Sequence, residues 1–283
     1  MSILYLLLAA TSLSLKLAAG NTPPGMLSHQ VNAWWRIFPI VSLALLTYPF
    51  GLAALAGLVF LLAILELAPH HEGPRMHFWT GASIIMLGIA WIAWQLPSAA
   101  PLLLAGTVAV HALYCALRFS RNALIRLLIL ATAGAMLILA MFPALPFGAR
   151  TNLSWLFYLF ILTALNDIAQ FISGKLFGRH KIAPIISPNK TWQGLAGGIL
   201  VSQLVSVALG TYLSLANPSR LALFALLLSI AGFAGDLMFS AAKRRLAIKD
   251  FSTLIPGHGG ILDRADSLVL TAPLLYWLLS SIE

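Results

Sequence analysis

The stretch Leu221–Asp266 reads LALFALLLSIAGFAGDLMFSAAKRRLAIKDFSTLIPGHGGILDRAD. Residues 221–240 are apolar apart from Ser229, Asp236 and Ser240, long enough to cross a bilayer as one helix. The 27 residues from Ser240 onward then hold eight charged side chains, Lys243, Arg244, Arg245, Lys249, Asp250, Asp263, Arg264 and Asp266. Only 9% of the chain is charged and 60% is hydrophobic. Charge is expensive near lipid, so a cluster of this density at the end of a span marks a functional site.

Outward from that stretch the same apolar character recurs. Mean hydropathy is +0.92. Apolar runs cover 3–19, 37–67, 78–95, 100–117, 127–147, 152–173, 194–215, 221–240 and 266–282. They predict an all-α, polytopic transmembrane bundle of about nine spans. That count takes 37–67 once, although Pro39, Pro49 and Gly51 equally allow a hairpin of two short helices. The runs lack the alternation of a membrane barrel, so strands are not expected. No basic segment precedes 3–19, which reads as a first span rather than a cleaved signal. One integral membrane domain over 1–283 is expected, with 1–150 as scaffold helices and 151–283 as the catalytic half.

Cys115 is the single cysteine and excludes an intramolecular disulfide. The net charge of +9 suits either an anionic substrate or basic cytoplasmic loops. Under nine spans, thirteen Lys and Arg fall on one side, the side of 174–193 and 241–265, against Arg36, Arg150 and Arg220 on the other. That bias predicts a cytoplasmic site, in a bacterial inner membrane. Five aspartates lie between 167 and 266, and the first 165 residues add only Glu66 and Glu72. Carboxylate chemistry is therefore expected in the C-terminal half.

Four constellations carry the chemistry. On a helix, Asp236, Ser240 and Lys243 at i, i+4 and i+7 share one face, while Arg245 reads as a snorkelling side chain. The turn Pro256-Gly257-His258-Gly259-Gly260 offers backbone N–H groups in the way phosphate-cradling turns do. Asp263 and Asp266, at i and i+3 near a helix N-terminus, need a cation, and oxygen ligands beside a phosphate substrate suit Mg2+. At the end of 152–173, Asp167, Gln170, Ser173 and Gly174 fall near one face. Asp167 reads as a metal or nucleotide contact, Ser173 and Gly174 as helix packing. Lastly, Ser187, Lys190, Thr191 and a helix N-terminus after Pro188 suit phosphates, with Trp192 as an interfacial anchor.

Ser240, Lys243-Arg244, Lys249-Asp250, Pro256-Gly257-His258-Gly259-Gly260 and Asp263-Arg264-Ala265-Asp266 together resemble the signature of the phosphatidate cytidylyltransferase, or CDP-diacylglycerol synthase, family. Gly174–Arg179, Ser187–Gly194 and Gly235-Asp236 resemble it as well, and a gapped signature of this length is specific. Two departures stand out. Ala265 replaces a larger aliphatic residue, and Asp167-Ile168-Ala169-Gln170-Phe171 stands where many members read Asp-x-Gly-Ala-Tyr.

The resemblance implies CTP and phosphatidate as substrates, CDP-diacylglycerol and pyrophosphate as products, and a place in phospholipid biosynthesis. It implies Asp236, Asp263, Lys243, Arg264 and His258 as catalytic residues. It implies Ser240, Arg244, Lys249, Asp250, Gly259, Gly260, Ser187, Lys190, Thr191 and Asn166 as substrate-binding ones. Mg2+ would be held by Asp236 and Asp263 together with Asp167, and Asp266 would support them. A second, monovalent ion such as K+ is allowed, and so is a homodimer. Three rivals remain. The acceptor could be another lipid phosphate, as the 167–171 departure suggests. A CTP-dependent lipid kinase would release CDP instead of pyrophosphate. An ion-coupled transporter would move solute without turning over CTP.

Overall fold

After Arg126 the sequence to Met141 is apolar apart from Thr132, and a helix apolar on all its faces belongs in the interior. In the computed structural model, which describes residues 26–255 and 259–281 with positions 9 and 12, it is the axis of the molecule. The helices in order are α1 (Met26–Leu46), α2 (Phe50–Leu67), α3 (Arg75–Gln95), α4 (Ala100–Leu117), α5 (Arg121–Met141) and α6 (Ala149–Phe177). A hairpin of β1 (Lys181–Ala183) and β2 (Ser187–Thr191) follows, then α7 (Trp192–Tyr212), α8 (Pro218–Arg245), α9 (Leu262–Ala265) and α10 (Leu268–Ser280). Helix α5 packs on α2, α3, α4 and α10. Helices α6, α7 and α8 form a second group, and α10 joins it to α5.

Seven helices are long and apolar enough to cross a membrane: Phe50–His70, Arg75–Gln95, Ala100–Leu117, Arg121–Ala144, Ala149–Phe177, Trp192–Tyr212 and Pro218–Arg245. Leu87, Trp91 and Trp94 of α3 and Val110 and Leu113 of α4 are exposed, which a chain in water avoids and a chain in lipid does not. The protein is an integral membrane protein.

The expected nine spans differ from this in three places. Residues 3–19 lie outside the described residues. Stretch 37–67 divides at Thr47–Pro49 into α1 and α2, which pack on each other. The run 266–282 becomes the 13-residue α10, about 20 Å long and shorter than a bilayer core of about 30 Å. Strands do occur, in the loop after α6, where Lys181 pairs with Thr191 and Ala183 with Ser187. The helix expected after Pro188 consequently starts at Trp192, because Thr191 is extended and its Oγ1 caps the Gly194 amide at 3.1 Å.

The loops after α2, α4, α6 and α8 meet at one end of the bundle. Arg121 Nε donates to the His70 carbonyl at 3.0 Å, and the Glu72 amide donates to Asn122 Oδ1 at 2.9 Å. Arg245 Nη1 donates to the Cys115 carbonyl at 2.8 Å and lies over Phe119. Arg244 Nε reaches the Ile186 carbonyl at 3.1 Å. The four polar loops are thus one surface, continuous with the ends of α6 and α8.

Candidate active site

Helix α8 runs unbroken from Pro218 to Arg245, so Asp236, Ser240 and Lys243 do share a face. Ser240 Oγ donates to Asp236 Oδ1 at 3.2 Å. The other Asp236 oxygen pairs with Lys190 Nζ of β2 at 2.5 Å. Lys190 Nζ also donates to Gln170 Oε1 of α6 at 3.4 Å and sits 5.3 Å from the centre of the Phe233 ring. The short hairpin therefore carries a lysine to the buried end of two helices. Its irregular register turns Lys190 inward while Pro188 and Asn189 stay exposed.

Gly235 brings the next carboxylate to this point. A Cβ there would lie 2.5 Å from the Asp266 carbonyl oxygen, so only glycine lets α8 touch the corner between α9 and α10. Asp266 and Ser267 keep right-handed helical dihedrals, and the two aspartates nonetheless meet different partners. Asp263 is in α9, and Asp266 is in the bend before α10, its Oδ1 accepting from the Ser267 amide at 2.8 Å. Ser267 Oγ donates to Asp167 Oδ2 of α6 at 2.9 Å. Asp167, Asp236 and Asp266 thus come together from three elements.

Asp263 is engaged separately. Its Oδ1 takes Lys243 Nζ at 2.6 Å, and its Oδ2 accepts from the amides of Gly260 at 2.9 Å and Phe251 at 3.0 Å. A Cβ at Gly259, whose φ is +80°, would meet Asp263 Oδ2 at 2.8 Å. The described part of the glycine turn is thus wrapped round a carboxylate of the chain itself. His258, with Pro256 and Gly257, lies outside the described residues.

The α6 residues split in two directions. Ser173 and Gly174 pack on the glycine-rich start of α7, as expected of small residues. Asn166 Oδ1 accepts from Ser202 Oγ of α7 at 3.2 Å, while Asn166 Nδ2 and Gln170 Nε2 are buried without partners. Thr191 is buried as the cap of α7, and Ser187 starts β2. Lys249, Asp250 and Arg264 are exposed, and their side chains make no ion pair or hydrogen bond among the described residues.

Sequence reasoning missed Glu66. It belongs to α2 in the supposed scaffold, yet it is buried at the glycine turn, accepting from Ser252 Oγ at 2.7 Å and from the amides of Ile261 and Leu262 at 2.7 and 3.0 Å. Carboxylate chemistry was expected in the C-terminal half, and Glu66 brings a carboxylate from the N-terminal half into contact with it. An acidic residue inside the apolar run 50–67 was the available signal.

The carboxylates suit a cation. Asp167 Oδ1 is buried without a partner. The Asp266 carboxyl is held well above the ordinary carboxylate range, first by burial and then by the charges of Asp236 and Asp167. Among the described residues no three acidic or imidazole side chains already form a closed cage.

A family model described as "Cytidylyltransferase family" matches residues 28–282. The uncharacterized protein YnbB of Escherichia coli (strain K12) is 46% identical over 120 residues, 42% of this chain and 40% of that protein. A phosphatidate cytidylyltransferase of Staphylococcus epidermidis is 44% identical over 129 residues, 45% of this chain and 50% of that protein. One of Staphylococcus aureus is 41% identical over the same coverage. The chain spans about half the length of the curated relatives it matches.

Proposed function

The chain belongs to the cytidylyltransferase family, and on that premise we propose that it makes CDP-diacylglycerol and pyrophosphate from CTP and phosphatidate, in phospholipid biosynthesis. The observation that carries this is the pair of lysine–carboxylate contacts, Lys190–Asp236 and Lys243–Asp263, at the polar end of a membrane bundle. Relatives named phosphatidate cytidylyltransferase support the same reading.

A lipid phosphate is already an anionic nucleophile, so the reaction needs little general-base help; the obstacle is the meeting of two polyanions. A phosphate oxygen of the lipid attacks the α-phosphorus of CTP. The new P–O bond forms as the bond from that phosphorus to the oxygen bridging the β-phosphate breaks, and pyrophosphate leaves. Lys190 and Lys243 hold phosphate oxygens, each kept in place by its carboxylate. Arg244, Lys249 and Arg264 at the rim draw the triphosphate in from solution. One or two of Asp167, Asp236 and Asp266 would hold Mg2+, which would supply charge neutralisation to the triphosphate. Asp263 orients Lys243. The basic end faces the cytoplasm of a bacterial cell, where CTP is found.

The test is incorporation of radiolabelled CTP into lipid by membranes supplied with phosphatidate. We expect labelled lipid with Mg2+ and none after chelation. Asp236→Ala should lower the rate by about 10²- to 10³-fold, as loss of a preorganised charge does. Unlabelled lipid from active wild-type membranes would overturn the reading. Release of CDP would instead point to phosphoryl transfer.

A further inference from the structure

Glu66, near the C-terminal end of α2, is a buried carboxylate that makes no ion pair among the described residues. Its oxygens are instead filled by three donors from one distant segment: Ser252 Oγ, the Ile261 amide and the Leu262 amide. The residue is 6% exposed. Position 260 is built to admit it, because a Cβ there would lie 2.5 Å from Glu66 Oε2 and 2.6 Å from Oε1. One residue further on, the same stretch of backbone does its work for the site. The Gly260 amide and Asp263, on either side of the clamped amides, are hydrogen-bonded to each other, and Asp263 holds Lys243 Nζ at 2.6 Å.

We propose that Glu66 is a positioning residue of the active site. From α2 it clamps the backbone of 260–262, so that Asp263 is presented to Lys243 and Lys243 is aimed at the substrate phosphates. Gly260 is glycine to leave room for the Glu66 carboxylate. The half of the chain that supplies few polar residues thus contributes one that the site needs. The link to turnover rests on the cytidylyltransferase reading; the clamp itself does not.

Two measurements on the full-length protein in detergent separate these. Hydrogen exchange, read on a peptide covering 259–265, tests the clamp without any substrate. Glu66→Ala and Gly260→Ala should each raise exchange there, with little change in α6 and α7. Unchanged exchange in folded Glu66→Ala protein would overturn the proposal. For turnover, Glu66→Ala should lower kcat by about 10²-fold, as a small misplacement of a catalytic group does, with KM for CTP nearly unchanged. Glu66→Gln, which keeps one acceptor oxygen, should recover part of the rate.

The Gly260→Ala, Glu66→Ala double variant should be no worse than Glu66→Ala alone, because removing the carboxylate opens the space the new methyl needs. Losses that multiply would show that the two positions act independently and sink the assignment. If wild-type protein turns over no CTP, the functional reading fails while the exchange result still decides the clamp.

Discussion

Gln170 shows what one substituted side chain can do at such a site. It is buried, its Oε1 accepts from Lys190 Nζ at 3.4 Å, and its Nε2 has no partner. A buried donor left unmet costs about 1–3 kcal/mol, so an open Nε2 beside Lys190, the lysine proposed to hold phosphate, suits a group that arrives with the substrate. Gln170→Ala should raise KM for the lipid phosphate by about tenfold and leave kcat nearly unchanged, the pattern of lost uniform binding. KM values unaltered across several lipid phosphates would remove Gln170 from the site. At this scale the sequence was informative where charge interrupts apolar runs: Asp167, Asp236, Lys243 and Asp263 all reach the polar end. Partners were not legible, because pairing depends on which elements meet. Nothing in the spacing of Lys190 and Asp236, or of Glu66 and Ile261, foretells their contacts.

Between elements, α6, α7 and α8 are joined by a buried polar relay in otherwise apolar faces. Ser206 Oγ donates to the Leu221 carbonyl at 2.7 Å, so the hydroxyl proton of Tyr158, 2.6 Å from Ser206 Oγ, must point at the serine. Tyr158→Phe removes only that donor and leaves Ser206 bonded to α8. It should destabilise the protein by about 0.5–1.5 kcal/mol, the net worth of one such bond, with CTP turnover preserved. Thermal unfolding in detergent checks this, and a midpoint equal to wild type would mean that the relay contributes nothing. The small residues Ser173 and Gly174 announced the α6–α7 contact, but Tyr158 and Ser206 lie inside apolar runs and carry no periodic signal. The bend at Asp266 was hidden for a related reason. Hydropathy places the run from 266 but not the separate short α9 before it, which sits where Gly235 fits against the Asp266 carbonyl and Glu66 accepts from the start of α9.

The whole molecule separates a lipid-facing body from one polar end. The bias of basic residues foretold that end because it is a property of loops counted together, insensitive to whether the chain crosses nine times or seven. The structure adds that these loops touch: Arg121 reaches His70, Arg245 reaches Cys115 and Arg244 reaches Ile186. Loops in mutual contact share one side of the membrane, and joins at the other end, such as 96–99, must face the opposite compartment. With Cys115 replaced by alanine, which leaves its carbonyl to Arg245, single cysteines can report the two faces. Lys181 of β1 and Ser98 between α3 and α4 are both exposed. A membrane-impermeant maleimide should label Ser98→Cys in intact spheroplasts and Lys181→Cys only in inverted vesicles. Labelling of Lys181→Cys in intact spheroplasts would place the basic loops and the lysine–carboxylate pairs outside the cell, away from CTP. Reaction of both positions from one side would break the bundle's alternation itself.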